Sequence, residues 1–551
     1  SHVARTPLMR ALQQMAADHA EAERRGVDVH RIREERLTAG ERQHDRLTRR
    51  EFLAGSAALG AAAMFGGRLL LPTRTRAASP RIAIVGGGIA GLTAALTLAD
   101  KGLSSTVYES STERVGGRMF TDHSGYWDAG QITEWGGELI DTGHKTVRFL
   151  AQRFRLKLVD LVRAEPNGSE PTYFFDGSYY PKAQADRDFQ PVHRALSRDT
   201  WAASYPTTFE INTPEGVALD NTSIYDWIET RVPGGHGSPL GQLLDVAYDI
   251  EFGAPTTDQS SLNLVYLLGY NASPGNFALF GGSDERYHIL TGNQSLPEAI
   301  RDALPLGAVQ PGWRMTSIAQ SGGAYALDFD TPVGRQTVTA DHVILAFHFG
   351  VLRTLNYSGA GFDARKVQAI EELGLGHNGK LNVQFTDRLW NTDGPWPAIS
   401  NGESYADTGY QNTWDVTRGQ PEAPGILVNY TGGNVTDAIA AAGPYTRASE
   451  SPQVITATQT FLGQLEPVYP GIGSRWNGRA SLSLPHLDPN YNCSYSYWRV
   501  GQYHTIAGYE GVRQGNIHFA GEHTSVDFQG WMEGGAITGV RAANEVLADL
   551  K

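Results

Sequence analysis

The chain has 551 residues, more than one hydrophobic core accommodates, because cores stop growing near about 250–300 residues and chains then divide into domains. Apolar residues make up 40% of it, yet no run of about 18 uninterrupted apolar residues marks a membrane span, and 59 acidic against 46 basic residues is the wrong balance for gripping a nucleic-acid backbone. A single cysteine, Cys493, excludes an internal disulfide framework and a cysteine-based metal cluster.

The amino-terminal 79 residues differ in kind from the rest, with fourteen arginines, no lysine and nine acids. Within them Thr48-Arg49-Arg50-Glu51-Phe52-Leu53 precedes a weakly apolar, Ala/Gly-rich run from Ala54 to Leu71, and small residues Ala77 and Ala78 follow. The order resembles a twin-arginine export signal and predicts a leader over 1–79 and an exported protein. A surface helix carrying two adjacent arginines is the alternative. The charged stretch from Met9 to Arg46 is assigned no chemistry.

Arg81 to Val85 predicts a short buried strand, Gly86-Gly87-Gly88-Ile89-Ala90-Gly91 a turn, and Leu92 to Lys101 a helix. In that order the glycines have distinct uses. Gly86 permits the tight turn, Gly88 lets backbone N–H groups approach a pyrophosphate at the helix amino end, and Gly91 lets helix and strand pack closely. A second strand, Ser105 to Tyr108, ends at Glu109, close to the roughly 20-residue offset of an acid that binds ribose hydroxyls. Together these predict a dinucleotide site.

Glu113-Arg114-Val115-Gly116-Gly117-Arg118 then resembles the flavin amine oxidase signature, which selects FAD over NAD. Physically, two glycines permit close backbone approach and a guanidinium forks onto phosphate; a plain glycine turn with a surface arginine is the bland reading. Further segments resemble the same superfamily in chain order: Glu134 to Ile140, Thr291 to Pro297, Met315 to Ile318, Val343 to Ala346, and the run His518-Phe519-Ala520-Gly521-Glu522-His523-Thr524 followed by Gln529 to Ala536. The resemblance implies an α/β chain, α+β overall. It would have a discontinuous Rossmann-like FAD-binding domain over 80–145, 285–350 and 475–551, and an interleaved substrate-binding domain of helices and sheet over 146–284 and 351–474. It places Gly117 and Arg118 along the pyrophosphate, Gly136 and Gly137 beside the flavin ring, the Met315 strand at the adenine, Gly521 and Glu522 near the ribityl and phosphate region, and Trp531 and Met532 at the pyrimidine edge.

The same resemblance implies an oxidase: a substrate amine carbon yields hydride to the flavin, the imine hydrolyses, and dioxygen reoxidises the cofactor to give hydrogen peroxide. Little acid–base help is required, so the protein mainly positions and desolvates. Lys380 matches the lysine that holds a water against the flavin, with an edge-strand lysine as the bland reading. Trp531 matches one wall of an aromatic cage, with core packing as its alternative. Glu138 stands where L-amino-acid oxidases often carry a carboxylate-gripping arginine, so it is assigned to the substrate side with Trp414 and Trp390; an acid there favours a cationic partner, and Arg353 or Arg499 is left to supply a carboxylate grip. His486, His504, His518 and His523 show no metal spacing and are expected to be structural. The predicted reaction is oxidative deamination of an L-amino acid, with a primary-amine or polyamine oxidase and an amino-acid monooxygenase as alternatives, and a non-enzymatic flavoprotein as a third class. Partners are the small-molecule substrate and dioxygen; oligomeric state is left open. Cys493 sits about where monoamine oxidases bond the flavin covalently, but a lone cysteine is most often a small buried hydrophobe, and noncovalent FAD is expected.

Overall fold

The computed structural model describes residues 80–550 apart from 271 and 273; the export-signal-like segment lies outside them. Five short parallel strands form one sheet in the order Ile517–Phe519, His342–Leu345, Ile82–Val85, Thr106–Glu109, Val309–Pro311. All four residues of Ile82–Val85 are buried, as a parallel strand covered on both faces requires. Its helix, Ile89–Ala99, begins three residues before the predicted start, because Gly88 takes the cap position with extended backbone and no side-chain cap. The carboxy-terminal helix Met532–Asp549 packs across it. A Cβ at Gly539 would sit 2.2 Å from Ala90 O, and one at Gly535 2.8 Å from Ile89 Cγ2. Those glycines let the two helices approach closely at the sheet's crevice.

Eight strands form the second, larger sheet in the order Tyr445–Arg447, Trp476–Ser483, Asn378–Phe385, Gly425–Gly432, Asn412–Asp415, Ser400–Ala406, Glu170–Phe175, Ser178–Tyr179. Trp476–Ser483 pairs antiparallel with Asn378–Phe385, so this part of 475–551, predicted to serve the nucleotide domain, belongs to the large sheet. The period-2 alternation of a strand divides the sheet's faces. Leu381, Val383 and Phe385 join an apolar cluster with Leu427, Ala406 and Trp390, whereas Lys380, Tyr430 and Asn412, which lie side by side in register, line a cavity. Helices including Lys182–Ala203, Pro239–Phe252 and Ser261–Gly269 build a further core around Trp227 and Tyr248. Among the described residues no helix is long and apolar enough to cross a membrane.

Candidate active site

The cavity, about 320 Å³, runs from the glycine turn of the parallel sheet to the cavity face of the large sheet. At the first end Gly86 is held at φ +103°, and a Cβ there would lie 2.8 Å from Ala346 O. Glu109 lines the cavity and braces the turn: its Oε2 accepts from Gly87 N at 2.7 Å and its Oε1 from Ser111 N at 2.7 Å. Gly88 and Gly117 face each other, a Cβ on Gly117 falling 3.4 Å from Gly88 Cα. The Ile89–Ala99 helix, uncapped by any side chain, points its amino end here, an arrangement suited to phosphate.

Midway, Arg118 Nη1 donates to Glu522 Oε1 at 3.0 Å and to Ser494 O at 2.8 Å. Glu522 also accepts from Ser496 N, Ser496 Oγ and Gly530 N. Burial opposes its charge, but Arg118 and then His348 hold its carboxyl well below the ordinary range. Gly521, Trp531 and Met532 line the same stretch, and Trp531 caps the Met532–Asp549 helix through its backbone. Behind Trp531 stands the buried His144, ring centroids 5.0 Å apart. Both amide atoms of Gln529, a cavity residue, are buried without a hydrogen-bond partner among the described residues.

At the far end Lys380 Nζ donates to Glu138 Oε2 at 2.6 Å and to Gly136 O at 3.2 Å. Trp414 Nε1 donates to the other Glu138 oxygen at 2.9 Å, and its ring lies 5.0 Å from that of Tyr430. Glu138, predicted as an acid open to a cationic substrate, is thus already neutralised by Lys380. Burial works against its ionisation, yet the ammonium keeps its carboxyl below the usual value.

Several predicted site residues lie elsewhere. Trp390 is fully buried in the apolar cluster behind the large sheet, edge-on to Phe385, with Nε1 donating to Asp415; it is on the wrong face to meet a substrate. Met315 is buried in a core cluster and does not line the cavity. Gly91 is not in the cavity wall either; a Cβ there would lie 2.0 Å from Gly86 O, so its task is close packing. Arg353 donates to the carbonyls of Ile370 and Leu373, and Arg499 faces Asp258; neither reaches the cavity lining. Besides Arg118, the arginine in the lining is Arg418, with Glu251, Glu285 and Glu403 around the same end. None of these four sits in a motif, and only the alternation of Glu403 with Tyr405 on one strand hints at a shared face. The histidines, unremarkable in spacing, converge in the fold: His342 and His518 near Asp549, His348 and His523 near Glu522, His377 and His486 near Asp437. Cys493 is fully buried, outside the cavity lining, with Sγ 3.4 Å from His348 Nδ1.

A parallel sheet presenting a glycine turn and helix amino end to a deep cleft defines a dinucleotide-binding fold. The residues 89–547 match the flavin containing amine oxidoreductase model, and the chain belongs to that family. Similar proteins include an L-amino-acid oxidase of Naja atra, 24% identical over 84% of this chain and 87% of its own length, and polyamine oxidase 4 of Oryza sativa subsp. japonica, 26% identical over 87% and 91%. Among solved structures, cyclohexylamine oxidase from Brevibacterium oxydans superposes with a TM-score of 0.71 at 18% identity, covering 86% of this chain and 99% of that one. Putrescine oxidase bound to putrescine gives 0.69 at 19%, over 85% and 99%. The enzyme is therefore a flavin-dependent amine oxidoreductase. The cavity fits that cofactor on its own evidence: a glycine-floored turn at a helix amino end for the pyrophosphate, Glu109 at the ribose offset, and an unpartnered Gln529 amide further along.

Proposed function

We propose that the chain is an L-amino-acid oxidase with noncovalently held FAD, releasing keto acid, ammonia and hydrogen peroxide. The flavin, when bound, supplies the two-electron chemistry and its reoxidation by dioxygen. The protein's own contribution is placement. Trp531, Trp414 and Tyr430 exclude water and orient the amine, and Lys380, held by Glu138, keeps a fixed positive charge in a water-poor site. The observation that carries the amino-acid reading is Arg418, among the described residues the one arginine lining the cavity at the end away from Arg118 and Glu522. Its side chain is 12% exposed; Nε donates to Asp415 O and Nη1 to Glu165, while Nη2 makes no hydrogen bond among the described residues, so the Nη2 N–H groups remain for a substrate carboxylate. The likeness to L-amino-acid oxidases supports this reading.

A di- or polyamine oxidase is the second reading, favoured by Glu165, which already takes Arg418 Nη1 at 2.7 Å. A peroxide assay comparing L-leucine with isoamylamine and L-phenylalanine with phenethylamine separates the two. The amino acids should react and the decarboxylated partners should not, and Arg418→Met should raise KM for amino acids alone. Equal turnover of both members of each pair would defeat the amino-acid reading. Peroxide formed in a one-to-one ratio with substrate separates an oxidase from a monooxygenase.

A further inference from the structure

Three carboxylates line the substrate end of the cavity: Glu251 near the end of the Pro239–Phe252 helix, Glu285 in the turn before Tyr287, and Glu403 on the Ser400–Ala406 strand. Each is half-buried, none is within ion-pair distance of a cation among the described residues, and only Glu403 has side-chain hydrogen-bonding neighbours, Tyr405 and Asn401. The neighbouring acids make this harder to sustain. Glu251 feels Asp141, and Glu285 feels Glu251, Asp141 and Glu403, against Arg418 as the positive charge facing Glu285 and Glu403. Arg418 is itself tied to Glu165.

Buried acids without partners are costly, and a chain retains such a group where a ligand completes it. The backbone here is also held in an uncommon state. Glu285 has φ +42°, a left-handed conformation that a non-glycine residue seldom adopts. Asp141 enforces it, accepting from Glu285 N at 2.9 Å and from Ser283 Oγ at 2.8 Å. The turn that presents this carboxyl to the cavity is therefore pinned.

We infer that Glu251, Glu285 and Glu403 form a subsite for a cationic group on the substrate side chain, so that the preferred substrates are L-amino acids with a basic tail of the arginine, lysine or ornithine kind. The inference rests on the reading of Arg418 as the carboxylate grip. A zwitterion with a second cation uses both signs of charge at this end of the cavity: the carboxylate meets Arg418 and the tail cation meets the acids. A neutral side chain leaves the three acids without a counter-charge, whereas a cation favours their ionised form and completes it, a difference of about tenfold or more in binding.

The test uses the flavin-loaded protein and near-isosteric pairs. L-Arginine should exceed L-citrulline, and L-lysine should exceed L-norleucine, by at least about tenfold in kcat/KM. Glu251→Gln and Glu403→Gln should each narrow those ratios, chiefly by raising KM for L-arginine and L-lysine. Calorimetry with α-methylornithine, which has no α-hydrogen to yield and so binds without turnover, should show tighter binding than α-methylleucine. Equal values within the pairs, or equal binding of the two α-methyl compounds, would overturn the subsite whether or not any variant folds. Agmatine turned over as well as L-arginine, with citrulline still poor, would defeat the carboxylate reading and leave the acidic subsite standing.

Discussion

Glu138 Oε2 lies 2.6 Å from Lys380 Nζ, across 242 residues of sequence, and both side chains are 7% exposed. A buried pair of this kind is weak evidence of net stabilisation, but removing one partner strands a charge. Glu138→Gln should cost about 3–5 kcal/mol by that reasoning, and Lys380→Met a comparable amount. The double variant should lose less than the sum, by about 1 kcal/mol or more. Denaturant titrations of all four proteins check it; additive losses would mean that the two groups are not coupled. Glu138→Gln should also slow flavin reoxidation in stopped-flow measurements, since it frees Lys380 to turn away.

The turn at the nucleotide end makes a steric prediction. A Cβ on Gly91 would fall 2.0 Å from the Gly86 carbonyl oxygen, whereas one on Gly143 would meet nothing within 4 Å. Gly91→Ala should therefore destabilise the protein by about 1–3 kcal/mol or more and lower the flavin content after purification. Gly143→Ala should leave both near wild type. Unchanged flavin occupancy in Gly91→Ala would refute the tight-turn role.

Attachment of the cofactor can be read directly. Cys493 lies outside the cavity lining, and burial pushes its thiol up to about 12, so the nucleophilic thiolate is scarce at neutral pH. Acid precipitation should release the yellow colour into the supernatant, and Cys493→Ala should keep its flavin. Colour retained in the wild-type pellet and lost in the variant would establish a covalent bond.

Glu251 gives a pH signature. Burial, and then Asp141, raise its carboxyl from 4.5 to about 8, so between those values the folded chain keeps a proton that the unfolded chain has released. Stability from this group is complete below about pH 4.5 and is lost as pH rises through about 8. In the absence of substrate, wild-type Tm should fall across that window more steeply than the Tm of Glu251→Gln. Parallel curves would mean that Glu251 does not titrate there.

The nucleotide end was legible in the sequence because its conformations are local. A strand, a left-handed glycine at Gly86, a cap at Gly88 and the start of a helix follow one another in ten residues, and each has a residue-type signature within that span. The Gly521-Glu522 run and the start of the Met532 helix were likewise visible as short segments, and both line the cavity. The far end was not legible, because there function depends on where side chains point after distant strands pair. Lys380, Tyr430 and Asn412 share a face through the register of three strands, while Trp390, chosen for its aromatic ring, falls on the opposite side among Phe385 and Leu427. Glu138 acquired a partner, and Arg418 and the three acids came to line one cavity, only when a helix, a turn and the sheet closed around the cleft. The sequence alone determined the flavin amine oxidoreductase scaffold; the tertiary structure decided which charges face the substrate, since the pairing of distant side chains has no local signal.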